Sequence, residues 1–485
     1  MVFSSLAFLC VFLPAVFLLY TVVPNLKARN AILIVASLVF YAYGEPVYVV
    51  LMILSSLMNY LCALWASSGL SAGNHTKHAK KQGNRLALVV AVVINLGILA
   101  VFKYTGMIVA TFNALTGLAV PDPQITLPIG ISFFTFQALS YVIDVYRGVV
   151  EPQRNYFNVL LYISFFPQLI AGPIVKYRDI QEMITNRTQS IGNVARGLRR
   201  FVCGLAKKVL IANTMGQVAD AMFTTSLSDL SAPTAWLGAI AYLFQIYYDF
   251  SGYSDMAIGL GLMFGFKFKE NFNYPYDAVS VKDFWRKWHI SLSTWFKEYL
   301  YIPLGGNRKG KPRAVLNRMI VFFLCGLWHG ASWTFVVWGL WHGLFLLIEE
   351  FVPRMRQLPR VLGHVYTLLV VTLGFVIFRA DTFEYGLGFL AKMFTGFDVS
   401  GPMMGLFVQQ LTPWFLAILV VAIVGCAPIK PLAERIRAGL YGGGELSGAW
   451  KVVQVVLFVL AFIGLTWCML RLAPSGYNPF IYFRF

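Results

Sequence analysis

Apolar runs recur along the chain from Phe3 to Leu472, and most are separated by short polar gaps. A hydrocarbon core of about 30 Å is crossed by roughly 20 helical residues. The pattern predicts spans at 3–23, from Ala31 to a break at Gly44-Glu45-Pro46, from there to Ala66, and at 86–103, 127–145, 156–175 and 235–266. Further spans are expected near 316–329, 332–349, 364–379, 411–427 and 450–472. The total is roughly 10–12, in one domain covering 1–485. The first run has no basic residue ahead of it and no small-residue cleavage site behind it, so it is expected to stay as a membrane helix.

The gaps suggest which side each end faces. Lys27 and Arg29 follow the first run, and Lys77, Lys80, Lys81 and Arg85 follow the third. With a turn at Gly44-Glu45-Pro46 both basic connections fall on one face, which the positive-inside rule makes cytoplasmic, with the amino terminus outside. The basic stretch from Lys176 to Lys208 is placed on the cytoplasmic side as well.

Three apolar runs carry more polarity than lipid tolerates. Residues 127–145 include Ser132, Thr135, Gln137, Ser140 and Tyr141, and are expected to face protein or a water-filled cavity. Residues 247–255 hold Asp249 and Asp255 among three tyrosines and two serines, and belong to the protein interior. Pro167 and Pro173, six residues apart, break the run at 156–175, and a broken helix at membrane depth has to be covered by protein or line a cavity.

Composition narrows the class. The chain is 58% hydrophobic and 12% charged, against about 25% charged residues in soluble domains, so it reads as an all-α polytopic membrane protein. Its formal charge of +18 is gathered in connecting segments, as expected of a membrane topology, and nucleic acid is not implied. A sharper reading, which the location of each cluster has to decide, is that some of these cations also meet an anionic ligand. Cys10, Cys62, Cys203, Cys325, Cys426 and Cys468 lie in apolar runs without metal-ligand spacing and are expected to be core thiols, with no metal site. His75, His78 and His364, in or beside loops, are expected to be solvated.

His289 and His329 stand in the apolar half of the chain, where an imidazole recovers lost solvation only through a partner or a substrate. On one continuous helix over 281–300, Trp285, Trp288, Leu292, Trp295 and Tyr299 form one stripe. Lys282, Arg286, His289, Ser293 and Lys297 form a second beside it. Two readings stay open: an interfacial helix with a tryptophan belt, or a basic face that holds a phosphorylated donor with His289 at its reactive edge. The following segment, from Tyr301 to Arg313, is a glycine-rich basic turn without the spacing of a nucleotide motif. His329 lies in Gly326-Leu327-Trp328-His329-Gly330, and Trp341-His342-Gly343 repeats the pattern thirteen residues on. A continuous helix turns about 220° over that distance, so His342 is expected to face away from His329 and to serve as an interhelical hydrogen-bonding group.

Several blocks together carry a family resemblance: Phe284-Trp285-Arg286-Lys287-Trp288-His289, Tyr299-Leu300-Tyr301-Ile302-Pro303-Leu304-Gly305-Gly306-Asn307-Arg308 and Gly326-Leu327-Trp328-His329-Gly330. Leu127-Pro128-Ile129-Gly130, Phe166-Pro167-Gln168-Leu169-Ile170-Ala171-Gly172-Pro173 and Asp249-Phe250-Ser251-Gly252-Tyr253-Ser254-Asp255 agree with them. In order and spacing, as far as about Glu350, the chain resembles the membrane-bound O-acyltransferase (MBOAT) family, in its alginate O-acetylation branch.

The resemblance implies helices around a central funnel with re-entrant or interfacial pieces, in the bacterial cytoplasmic (inner) membrane. It also implies transfer of an acyl group from a cytoplasmic thioester toward a cell-surface polysaccharide of the alginate, peptidoglycan or cellulose type. A separate extracytoplasmic acetyltransferase is the implied partner, alongside membrane lipid. His329 and His289 become the catalytic pair with His329 as general base, since imidazole, whose unperturbed pKa is about 6.5, supplies a base near neutral pH. Acetyl-CoA or another acyl thioester is the expected donor substrate, with no tightly bound cofactor. Lys282, Arg286, Lys297 and Ser293, with Asn307 and Arg308 of the glycine-rich turn, are the expected donor contacts. The rival reading is a polysaccharide-precursor transporter or flippase with the histidines as a proton relay. A mere scaffold for a soluble transferase leaves His289 and His329 unexplained.

Overall fold

The structure is a computed structural model that describes residues 1–68, 83–397, 401–429, 448–474 and 476–481. His75, His78, Lys77, Lys80 and Lys81 lie outside the described residues. All regular structure within them is helical. By contacts the chain forms two units, one of Met1–Leu198, Ala257–Lys269 and Thr294–Pro303, the other of Arg199–Met256, Glu270–Ser293 and Leu304–Phe485.

The first unit opens with a π-helical turn, Ala7–Phe12, followed by α1 (Leu13–Val22), α2 (Leu26–Ala42) and α3 (Tyr48–Ser67). The Gly44-Glu45-Pro46 turn falls between α2 and α3, as expected. Asn25 and Asn84 start α2 and α4 (Arg85–Leu99) by accepting backbone N–H bonds on their side-chain oxygens. After a π-helical turn, α5 (Thr105–Thr116) ends at Gly117 with φ 72°, a left-handed stop that suits glycine.

Helices α3, α4 and α6 (Ile131–Tyr146) pack together. Asn59 and Asn95 exchange amide hydrogen bonds of 3.1 and 2.8 Å across α3 and α4, which satisfies both groups away from water. Ser132, Thr135, Gln137, Ser140 and Tyr141 of α6 are all buried, so its polarity faces protein.

The proline-bearing run breaks into α7 (Tyr156–Ser164) and the single turn α8 (Phe166–Leu169). From Val159 to Val175 it is buried, and Tyr162 donates to Val175 O at 2.9 Å across the break. Then come α9 (Tyr177–Thr185) and α10 (Ile191–Ala206).

The basic stretch is less solvated than its composition suggests. Lys176 is buried and pairs with Glu298 at 2.7 Å, and Arg178 bonds the same carboxylate. Burial alone would raise the Glu298 pKa, but the two cations hold it below the usual carboxylate range. Buried Arg187 donates to Tyr20 Oη at 2.9 Å and to Met183 O at 3.1 Å, closing the last turn of α9. Several charges assigned to topology therefore do structural work.

The second unit contains α11 (Asn213–Phe223) and most of α12 (Ala232–Met263). Asp249, Phe250, Ser251, Tyr253 and Ser254 of α12 are buried, as the density of polar groups predicted. Lys208 and Asp249 form a buried pair at 2.7 Å. Residues 477–481 close over it: Ile481 N donates to Asp249 at 2.8 Å, and Lys208 donates to Pro479 O.

Next come α13 (Val281–Lys287), α14 (Ile290–Phe296), α15 (Lys311–His329), α16 (Trp333–Phe351) and the turn α17 (Pro353–Arg356). The chain continues through α18 (Arg360–Arg379), α19 (Phe383–Thr395), α20 (Gly401–Gln410), α21 (Pro413–Gly425) and α22 (Gly448–Leu472). The expected spans from 316 onward thus match α15, α16, α18, α21 and α22 within a few residues at most ends.

Length and apolarity single out five helices able to cross a membrane among the described residues: Tyr48–Ser67, Arg85–Thr116, Trp333–Phe351, Arg360–Arg379 and Val452–Leu472. Met404–Gln410 and Pro413–Gly425, bent by 70°, make a sixth if they act as one span. Ala7–Val22 and Ile131–Tyr146 are shorter apolar helices.

All six cysteines are free, but Cys10 and Cys203 are exposed rather than core thiols, because their helices turn those positions outward. His364 is half-buried on α18 with Nδ1 3.2 Å from Ala278 O, not a solvated loop residue.

Candidate active site

The site begins with a helix that does not continue. Ser280 caps α13 by accepting from Asp283 N at 3.0 Å, and the buried Glu349 carboxylate of α16 accepts from Val281 N at 2.5 Å and Lys282 N at 3.0 Å. The helix stops at Trp288, whose backbone is extended, and His289 takes φ 44° before α14 starts at Ile290. The continuous helix expected over 281–300 is therefore two short helices and a π-helical turn, Lys297–Tyr301. A left-handed backbone costs a β-carbon-bearing residue about 1–2 kcal/mol and persists only where surrounding bonds hold it.

Trp285, Trp288, Leu292, Trp295 and Tyr299, the stripe marked by the periodicity, are all buried, and Lys282, Arg286 and Lys297 are exposed. The kink ends the basic stripe. Lys282 and Arg286 lie before it, half-buried Ser293 lies after it, and Lys297 belongs to the first unit. Asn307 and Arg308 are exposed in the glycine-rich turn, where Gly305, Gly306 and Gly310 all have positive φ. Asn317 of α15 holds that turn by donating to Gly306 O at 3.1 Å.

The second break matters as much. Gly330 is extended, Ser332 caps α16 by accepting from Thr334 N at 3.3 Å, and α15 and α16 fold back as a tightly packed pair. Their approach depends on two glycines. A Cβ at Gly326 would lie 2.3 Å from Phe335 O, and one at Gly339 2.2 Å from Phe322 O. The continuous helix on which the expected turning away of His342 from His329 was built is absent, because α15 ends at His329 and α16 starts at Trp333. His329 and His342 instead approach the same indole, Trp338, at ring-centroid distances of 5.0 and 5.1 Å.

His289 and His329 come together. Their ring centroids are 6.4 Å apart, His289 is fully buried and His329 nearly so. Phe250 at 4.6 Å and Trp328 at 5.8 Å flank His289, while Trp328, Trp338 and Phe378 at 5.0, 5.0 and 5.4 Å surround His329.

A cavity of about 10 Å³ opens beside His329, lined by Ile246, Phe250, Trp288, Trp338, Phe375 and Phe378. It is room for roughly one water-sized group. His342 packs behind this wall against Phe284, Trp285 and Trp338, and does not line the cavity. No cluster suited to a metal ion occurs among the described residues.

Trp338, Phe375, Phe378, Glu349 and Asn271 escaped the sequence reading. Glu349 alone carried a usable signal, as a carboxylate at the end of an apolar run. The aromatic groups were indistinguishable from lipid-facing ones.

Two imidazoles in an aromatic enclosure, inside an all-α polytopic membrane protein, are groups able to take up and give back a proton away from bulk water. Residues 152–380, which contain both histidines, match the model of MBOAT, membrane-bound O-acyltransferase family. The probable alginate O-acetylase AlgI of Pseudomonas putida is 39% identical, with each chain covered in full. The peptidoglycan O-acetyltransferase of Helicobacter pylori is 37% identical, over 81% of this chain and 80% of its own. The teichoic acid D-alanyltransferase of Bacillus subtilis is 27% identical over 53% of this chain and 70% of its own. The chain belongs to the membrane-bound O-acyltransferase family and is an O-acyltransferase.

Proposed function

We propose that the protein is an O-acetyltransferase of the bacterial cytoplasmic membrane, moving acetyl groups from a cytoplasmic acyl thioester, acetyl-CoA or a related donor, toward a cell-surface polysaccharide. The observation that carries this reading is the facing pair His289 and His329 beside a cavity of about 10 Å³. The two O-acetylating relatives act on alginate and on peptidoglycan by their names, and a polymer of that kind is the proposed destination. An extracytoplasmic acetyltransferase is the proposed partner for delivery.

His329 acts as general base. It takes the proton of an acceptor hydroxyl as that oxygen attacks the thioester carbonyl carbon; the new C–O bond forms, the C–S bond breaks, and the imidazolium returns the proton to the departing thiolate. His289 orients or polarises the donor carbonyl from the opposite side. The aromatic walls exclude water, which would otherwise consume the thioester. Exposed Lys282 and Arg286, with Ser293, Asn307 and Arg308, are proposed contacts for the anionic part of the donor.

The test is acetyl transfer by purified protein supplied with radiolabelled acetyl-CoA. Label should appear in acceptor or as released acetate, and His329→Ala should abolish both at normal abundance. A protein that transports label-free precursor but never cleaves the thioester would be the flippase of the rival reading.

A further inference from the structure

His289 holds a backbone conformation that its own helix does not dictate, and the bonds that hold it come from a distant segment. Asn271, fully buried, accepts from Ile290 N on its backbone oxygen at 2.9 Å. Its side-chain Oδ1 accepts from Ser291 N at 3.1 Å and from Ser291 Oγ at 2.8 Å. Two residues on, Asn273 N donates to Lys287 O at 2.9 Å, so the kink is gripped on both sides. The Asn271 amide is itself fixed, donating from Nδ2 to Ser254 Oγ of α12 at 3.1 Å. Between the two asparagines, Phe272 packs its ring 5.1 Å from Trp288 and 6.5 Å from His289.

The two N–H groups that Asn271 satisfies are the first of α14, which have no partner inside the helix. Losing the Asn271 side chain takes the acceptor from the half-buried Ser291 N–H and hydroxyl and leaves Ile290 N held by the backbone oxygen of residue 271 alone, so the chain at 288–290 is freer to relax toward an ordinary helix. That relaxation would swing His289 off the face it shares with His329.

We infer that Asn271 is a positioning residue: it fixes the left-handed turn at His289 and ties it to α12, so that the imidazole faces His329. Ser254 is the second member of this brace. The inference rests on the proposed role of His289 in acyl transfer.

The experiment compares Asn271→Ala, Asn271→Asp and Ser254→Ala with His289→Ala in the full-length protein, using radiolabelled acetyl-CoA and matched membrane abundance. Displacement of a reacting group by about 1 Å costs up to about 100-fold in rate. Asn271→Ala should lower kcat at least about tenfold with KM for acetyl-CoA changed by less than about twofold. Asn271→Asp keeps the acceptor and lets Ser254 Oγ donate instead, so it should recover most of the lost kcat. Ser254→Ala should lower kcat about threefold while the protein accumulates normally, and it decides the question if Asn271→Ala fails to accumulate.

Wild-type kcat in Asn271→Ala, or in Ser254→Ala where the first variant is absent from membranes, overturns the inference. So does an Asn271→Asp variant no better than Asn271→Ala. If His289→Ala itself keeps full activity, the role given to His289 falls instead.

Discussion

The tight pairing of α15 and α16 makes Gly339→Ala a severe test of the site. The added Cβ would lie 2.2 Å from Phe322 O and 3.1 Å from the Gly326 Cα. Reaching an ordinary contact of 3.4 Å requires the two backbones to part by about 1.2 Å. The opposing atoms belong to a helical backbone, so no side-chain rotation absorbs the clash. Overpacking of this kind costs about 1–3 kcal/mol, and the same shift carries Trp338 away from His329. A displacement near 1 Å at a catalytic base lowers rate by about 100-fold. Thermal unfolding in detergent and acetyl transfer, measured on one preparation, should both fall, with kcat losing about two orders of magnitude. Gly464→Ala is the matched control, because the nearest atom to its added Cβ is 3.9 Å away. A Gly339→Ala protein with wild-type melting and wild-type rate would refute the hairpin geometry on which the site is built.

His342→Gln should retain at least about a tenth of the wild-type rate, because His342 supports the cavity wall without lining it, whereas His329→Gln should be inactive since an amide is no base; both are read by acetyl transfer at matched abundance. Phe378→Val should raise the ratio of propionyl to acetyl transfer about tenfold, the scale on which an apolar pocket discriminates one methylene, measured with competing thioesters. Arg286→Glu should raise the donor concentration needed for half-maximal rate by about tenfold or more, with kcat little changed, as expected when one charge-assisted contact becomes repulsive; an unchanged half-saturation would remove Arg286 from donor binding.

What could be read from residues alone was whatever depends on one element at a time. The turn at Gly44-Glu45-Pro46, the inward polarity of Gln137 and Ser140, and the break after Ser164 follow from local sequence against a lipid background. The motifs around His289 and His329 likewise single out the two imidazoles whose rings the fold brings to 6.4 Å. The kink at His289 was not legible, because 281–300 has unbroken helical periodicity and its brace comes from Asn271. The hairpin after His329 was missed for a related reason: the run past His329 reads as one continuous helix, and Gly330 and Ser332 do not by themselves forbid one. Burial of Lys176, Arg187 and Lys208 was hidden because charge counts assign cations to solvent, and only their partners Glu298, Tyr20 and Asp249 reveal otherwise.

The closing of residues 477–481 over Lys208 and Asp249 sets the order in which the protein is finished at the ribosome. The two charges are 41 positions apart and can meet early, but the N–H of Ile481 reaches Asp249 from 232 residues downstream, and the carbonyl of Pro479 reaches Lys208 from 271. At synthesis rates of about 5–20 residues per second, that interval lasts roughly 10–50 s. For all of it a charged pair destined for the interior stands with part of its coordination missing. Tags or deletions touching 477–481 would therefore register first as a loss of the whole second unit's yield, ahead of any change in its chemistry.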